Sequence, residues 1–181
     1  MPDTILRSAV PVDPVHLLET VQKKITETTD ASQLAKLNTY LAHMQAEFAG
    51  DIDAAMRTLV AEPVFRFWCG YRDPDGPLVL QRPTIRSNYE VAFGVRFPDV
   101  EIIPERFIVS DDGLVIQGEQ LSIVPGQYLL AQGVTTAKPG KDYFCRCRFA
   151  LLVEFLDDVM VGEDHYWPPP HTMLEIVEDR T

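Results

Sequence analysis

Residues 143–167 read as two long strands joined by a reversal at Asp157-Asp158, and this hairpin limits the possible folds more than any other stretch of the chain. Side chains alternate along a strand, so Tyr143, Cys145, Cys147, Phe149, Leu151, Val153 and Phe155 share one face while Arg146, Arg148 and Glu154 lie on the other. The odd-numbered face is the core face. On the returning strand Val159 and Val161 carry the same parity, which turns Glu163, His165 and Trp167 inward. A bulge that slips the register by one residue would turn Asp164 and Tyr166 inward instead. An apolar face that ends in a carboxylate, an imidazole and an indole has the makings of a small-molecule pocket.

The chain ahead of this hairpin changes period. Asp13-Pro14 marks a helix start, and Val15, Leu18, Val21 and Ile25 give a helix over 14–28. A break at 28–32 offers new caps, after which Leu34, Leu37, Leu41, Met44 and Phe48 recur at spacings of three and four over 32–49. Gly50 ends that helix and Asp51 caps a short third one bearing Ile52, Ala55, Met56 and Leu59. From Pro63 the period becomes two, with a strand over 64–68, a turn-rich loop over 73–77 and a further helix over 85–97 capped by Thr84. Strands are then expected at 100–109, 114–124, 127–136, 143–155 and 159–167, and the tail from Pro168 is expected to run extended. Helices first and a meander of hairpins afterwards predict an α+β fold, with the helices packed on one face of a strongly bent antiparallel sheet.

The 181 residues suit one domain, 1–181, and 46% apolar residues are ample for one core. With 16 basic and 27 acidic side chains the net charge is −11, which disfavours nucleic acid and anionic membrane surfaces as partners. Without a leader-like or membrane-spanning run, the expected location is cytoplasmic. Cys69, Cys145 and Cys147 are expected to be reduced and structural. His16, His43, His165 and His171 are too scattered for a metal site, so neither metal nor cofactor is expected.

Four stretches carry a family resemblance. Ala49-Gly50-Asp51-Ile52-Asp53-Ala54-Ala55-Met56, the run from Asn88-Tyr89-Glu90 to Phe97-Pro98-Asp99-Val100, and Val109-Ser110-Asp111-Asp112-Gly113 resemble, in order and spacing, the SnoaL-like proteins of the nuclear transport factor 2-like superfamily. The closing strand resembles that family's last hairpin, which often ends in Tyr-Trp-Asp; here the ending is Tyr166-Trp167-Pro168. The likeness spans about residues 32–168, leaving the helix at 14–28 as an addition and 168–181 as a tail. It implies a cone of curved sheet closed by helices around a pocket, and a homodimer formed through the outer face of the sheet. Functions in the superfamily range from isomerases, cyclases and dehydratases to non-catalytic assembly subunits, so fold does not decide function. Matched by distance from Gly50, the oxyanion-hole tyrosine of the ketosteroid isomerases falls at His43, their general-base aspartate at Phe67 and their protonated aspartate near Leu151. Both carboxyls are missing, which disfavours that isomerase chemistry. The acidic residue that SnoaL-type cyclases use near the end of the last strand is replaced by Pro168-Pro169-Pro170.

The remaining candidates are Glu163 and His165, roughly 7 Å apart along one strand face, with Glu163 orienting His165 as general base. The bland alternative is a salt bridge on the rim. Tyr40, His43 and Glu47 form a polar stripe on the second helix, ordinarily a solvated face; the family match singles out His43 as a hydrogen-bond donor, against a satisfied structural histidine. Phe65, Phe67, Tyr89, Phe93, Phe149 and Trp167 are candidate lining residues, with plain core as the alternative. Arg146 and Arg148 face acidic neighbours such as Glu119 and either pair at a dimer interface or are solvated. The expected function is the handling of a small hydrophobic molecule, by metal-free acid–base chemistry of the isomerase, dehydratase or cyclase kind or by binding alone, with a scaffold subunit as the competing class.

Overall fold

The computed structural model describes residues 4–13, 15–69, 76–94, 99–131, 133–168, 170 and 172–177, apart from the side chains at 69, 92–94 and 131. A short strand, β1 (Thr4–Leu6), precedes α1 (Val15–Glu27), whose first N–H is held by Asp13 Oδ1 at 3.0 Å. α2 (Ala31–Ala49) is capped by Asp30, which accepts from Gln33 N–H, and ends at Gly50 in the left-handed conformation, φ 68°. Asp51 caps α3 (Ile52–Arg57) through Ala54 N–H. Leu59, expected on that helix, instead opens β2 (Leu59–Cys69), which starts ahead of the expected 64–68. Pro63 is tolerated inside β2 because the pairing with its neighbour slips between Leu59 and Val64, so no ladder donor is lost there.

β3 (Leu78–Gln81), not anticipated from the sequence, pairs with β2 and runs straight into α4 (Arg82–Gly94). Thr84 therefore sits inside the first turn rather than at its cap, with its hydroxyl bonded to Gln81 N–H and C=O. The expected helix end near residue 97 lies outside the described residues. β4 (Val100–Val109) and β5 (Gly113–Pro125) form the expected hairpin. The strand expected over 127–136 is absent: α5 (Gly126–Ala131) and turns occupy that stretch, and β5 pairs directly with β6 (Asp142–Leu156) along its whole length. Gly126 N–H is already bonded to Lys141 C=O, and Leu129 is buried against Tyr143 and Cys145, so the segment folds back as a local lid on the sheet end.

β7 (Val159–Trp167) returns along β6, and the tail beyond the prolines forms β8 (Thr172–Val177), paired with the other end of β6 and, in parallel, with β1. The tail is thus extended but not free of the ladder, because Pro168 and Pro170 precede the paired residues and do not interrupt them. β7 also pairs in parallel with β2, which makes the sheet mixed rather than antiparallel throughout. It is strongly curved and not closed, and α1 to α4 cover its inner face. The main core joins Leu17, Leu37, Met44 and Ala55 of the helices to Ile116, Phe149, Leu151, Val153 and Met160 of the sheet. Among the described residues no helix is long and apolar enough to cross a membrane.

The inward parity of β7 arises differently from the sequence reading. Val159 is 40% exposed, and Met160 is the fully buried residue. Glu154 pairs with Gly162 but Phe155 with Met160, so Val161 is an extra residue on β7 and the register steps by one. After that bulge, Glu163 and His165 stand opposite Val153 and Leu151 on one side and Phe65 and Phe67 on the other, on the inner face. Asp164 and Tyr166 face outward, where Asp164 pairs with Arg66 at 3.0 Å and Tyr166 stacks on Trp68 at 5.7 Å. Gly162 permits this close seam, since a Cβ there would lie 1.9 Å from Val64 O. Gly162→Ala is expected to lower stability by about 1–3 kcal/mol in urea unfolding, as overpacking against backbone does; an unchanged midpoint would place the seam elsewhere.

Candidate functional site

A cavity of about 90 Å³ lies between α2, α4 and the inner face of the sheet. α2 contributes Tyr40, Met44, Glu47 and Phe48; α4 contributes Asn88 and Tyr89; the strands contribute Phe65, Phe67, Phe149, Leu151, Glu163, His165 and Trp167 among others. The stripe Tyr40–His43–Glu47 is therefore not a solvated face: Tyr40 and His43 are wholly buried and the Glu47 side chain is 19% exposed. The helix twists this stripe toward the sheet because its apolar stripe packs on α1 and α3 alongside. Of the expected lining residues, the side chain of Phe93 lies outside the described residues.

Glu163 and His165 come together as a pair. His165 Nε2 lies 2.8 Å from Glu163 Oε2, and Phe67 stacks beneath the imidazole at 4.5 Å with the planes 7° apart. Trp167 closes one side at 5.0 Å. With Nε2–H given to the carboxylate, the neutral ring keeps its lone pair on Nδ1, and the His165 side chain is 14% exposed. The pair sits on the wall of the cavity, not on an open rim.

His43 is placed behind the wall. Thr58 Oγ1 donates to Ala55 C=O at 2.7 Å, so it can only accept from His43 Nδ1, 2.6 Å away. This fixes the Nδ1–H tautomer and points Nε2 at Tyr89 Oη, 3.2 Å, and Glu47 Oε1, 3.3 Å, with Glu163 Oε1 at 3.9 Å. Both hydrogen-bonding edges of His43 are thus engaged by protein, and it does not line the cavity, whereas Tyr40 and Tyr89 do. Glu47 was the residue that sequence reasoning undervalued. Its signal was the i, i+4 spacing from His43, which puts the two side chains on one helical row.

Electrostatics bind the cluster together. Burial opposes charge on His43, but the carboxylates of Glu47 and Glu163 outweigh it and raise the imidazole above its ordinary range. Burial likewise pushes Glu47 up, yet the His43 charge and hydrogen bonds from His43 and Tyr89 hold it below the usual carboxylate value. Burial, then the nearby carboxylates, raises Tyr40 and Tyr89 well above 10, so both remain neutral hydroxyl donors.

Two opposed pH limits follow. The raised His43 contributes stability that is complete below its unfolded value, about 6.5, and lost as pH rises through the folded one. The lowered Glu47 contributes stability that is complete above its unfolded value, about 4.3, and lost as pH falls through the folded one. The pair is fully formed between these limits. Glu47→Gln is expected to cost about 2 kcal/mol there and to flatten the alkaline arm of a melting-temperature profile; a variant profile parallel to wild type would remove the ion pair from the account.

No protein-family model matches the chain, and no curated protein matches it. Solved structures do. A protein named as a SnoaL-like polyketide cyclase from Shewanella putrefaciens superposes with a TM-score of 0.58 at 14% identity, over 88% of this chain and 90% of its own. A phenazine biosynthesis-related protein from Pseudomonas aeruginosa gives 0.55 at 12%, over 81% and 84%. A nuclear transport factor 2-like protein from Anabaena variabilis gives 0.50 at 13%, over 77% and 93%. Sequence identity this low speaks for fold alone: helices packed in a curved sheet, in the same order, make this a chain with the SnoaL-like form of the nuclear transport factor 2-like fold.

Proposed function

We propose that the protein takes a small hydrophobic molecule into the cavity and moves a proton on it without a metal, in a reaction of the isomerase, dehydratase or cyclase kind. The observation that carries this reading is the Glu163–His165 pair, 2.8 Å apart, on an aromatic cavity wall. In that arrangement His165 Nδ1 is the base, Glu163 holds the ring and balances the charge it acquires, and Tyr40 is a neutral donor for an oxygen that gains negative charge. The fold is shared with proteins named for cyclisation and biosynthesis, which agrees with this reading without deciding it.

Exchange of the α-hydrogens of acetone in D₂O, followed by proton NMR, tests the chemistry on a carbonyl small enough for the site. Wild type is expected to speed the exchange, and His165→Ala to lose about 10²–10⁴-fold of that gain. Equal rates for variant and wild type would remove His165 from the chemistry. No acceleration by wild type would leave a binding or scaffold protein.

We infer also that the protein is a homodimer through the outer face of the sheet. That face carries the exposed Trp68–Tyr166 stack and the Arg146–Glu119 and Arg148–Glu105 ion pairs, a surface of aromatic rings and internally paired charge. Sedimentation at micromolar concentration should return twice the chain mass; a single-chain mass would remove the dimer.

A further inference from the structure

We propose that the cavity selects an uncharged molecule of about four heavy atoms that offers a hydrogen-bond acceptor to Tyr40 and Trp167 and a donor to Glu163. The inference rests on reading this cavity as the binding site. Three buried polar atoms of residues that line it, Tyr40 Oη, Trp167 Nε1 and Glu163 Oε1, have no hydrogen-bond partner among the described residues. Tyr40 is fully buried and Glu163 is 4% exposed, so bulk water does not serve them. A buried polar atom without a partner is costly, and three on one small cavity describe what should complete them.

Their chemistry differs. The indole N–H only donates, an ionised carboxylate only accepts, and a tyrosine hydroxyl can donate to an oxygen. A ligand that satisfies all three carries a lone pair on one side and a polar hydrogen on the other, as an alcohol does with a single group. Charge is selected against in both senses. An anion would meet the carboxylate of Glu163, while the two unpartnered donors that face it, Tyr40 and Trp167, are both neutral. An ammonium would suit Glu163 but has no lone pair for Tyr40 or Trp167, leaving both donors unmet. Size follows from the volume: about 90 Å³ is room for roughly three waters, and less than the ~150 Å³ in which an engineered apolar cavity holds benzene. Phe65, Phe67 and Phe149 then supply the apolar remainder of the wall.

Four compounds of three to five heavy atoms, smaller than benzene, separate these terms: propan-2-ol, propane, isopropylamine and propionate. The readout is the indole N–H signal of Trp167 in a nitrogen-15 correlation spectrum, with the exposed Trp68 as internal control and Trp167→Phe to assign the signals. Propan-2-ol is expected to move the Trp167 signal saturably and to bind at least tenfold tighter than the other three. Tyr40→Phe should weaken the alcohol about tenfold and leave propane unchanged. If that variant does not fold, Glu163→Gln provides the same test, since an amide oxygen is a weaker acceptor than a carboxylate. Amine or carboxylate binding as tight as the alcohol, equal affinity for alcohol and propane, or no response to any of the four would each overturn the proposal. Alcohol selectivity without acetone exchange would keep this inference and defeat the catalytic reading; exchange without alcohol selectivity would do the reverse.

Discussion

The carboxylate and the imidazole on the sheet side of the cavity depend on one extra residue in β7. Without the bulge at Val161, the buried Met160 would set the parity of the strand, and Asp164 and Tyr166 would face the helices. With it, Glu163 and His165 sit inside two flanking strands, β6 and β2, and their neighbours on that face are Val153, Leu151, Phe65 and Phe67. Strands buried on both edges do not slide, so the carboxylate and the imidazole are held at a fixed separation by backbone ladders rather than by their own hydrogen bond. Gly162, with no Cβ to strike Val64 O, is the residue that lets the two ladders close over the bulge.

Against that sheet the chain sets a helix that would be unfavourable as simple core. Tyr40, His43 and Glu47 bring two hydroxyl or imidazole groups and a carboxylate into an interior lined by aromatic rings, and Glu163 adds a second carboxylate. Desolvating even one such charge costs several kcal/mol, and the His43–Glu47 contact offsets only part of it. Apolar side chains of similar size would fill the space with less penalty. A cluster of this kind, with orphaned atoms left on a cavity wall, is the pattern of a site in which binding and chemistry take precedence over stability.

The sequence made the helical half of the fold legible because its signals are local. Asp30, Gly50 and Asp51 cap α2 and α3 as their chemistry dictates, and the spacing of Leu34, Leu37, Leu41 and Met44 fixes the length of α2. The inward residues of β7 are legible too, although by two compensating departures: Val159 is exposed rather than core, and the bulge that the sequence leaves open as a way to turn Asp164 and Tyr166 inward instead restores Glu163 and His165 to the inner face. A bulge leaves no local signature in Val159-Met160-Val161-Gly162, since it is selected by how β2 and β6 meet. The same limit hid β8, which depends on a partner edge near residue 145, and α5, whose residues Gln127 to Leu130 suit a helix or a strand until Gly126 is locked to Lys141. At the site, Glu47 was overlooked because a carboxylate on an amphipathic helix is ordinarily solvated, and only the packing of α2 on the sheet turns it inward.

Thr58 explains why the two walls keep their spacing. It follows α3 and precedes β2, and it makes contacts in three directions. Its hydroxyl is donated to Ala55 C=O and accepts from His43 Nδ1, which fixes the imidazole on α2. Its carbonyl accepts from Met160 N–H at 3.1 Å, one residue before the bulge in β7. A single residue thus ties the helix that carries Glu47 and Tyr40 to the strand that carries Glu163 and His165. The Thr39 hydroxyl, donated to Asp158 C=O at 2.8 Å, adds a second tie to the turn that opens β7. With α2 fastened to β7 at both points, the 3.9 Å gap between His43 Nε2 and Glu163 Oε1 is set by the scaffold. Glu163 thus keeps one oxygen on His165 and the other beyond hydrogen-bond distance from His43.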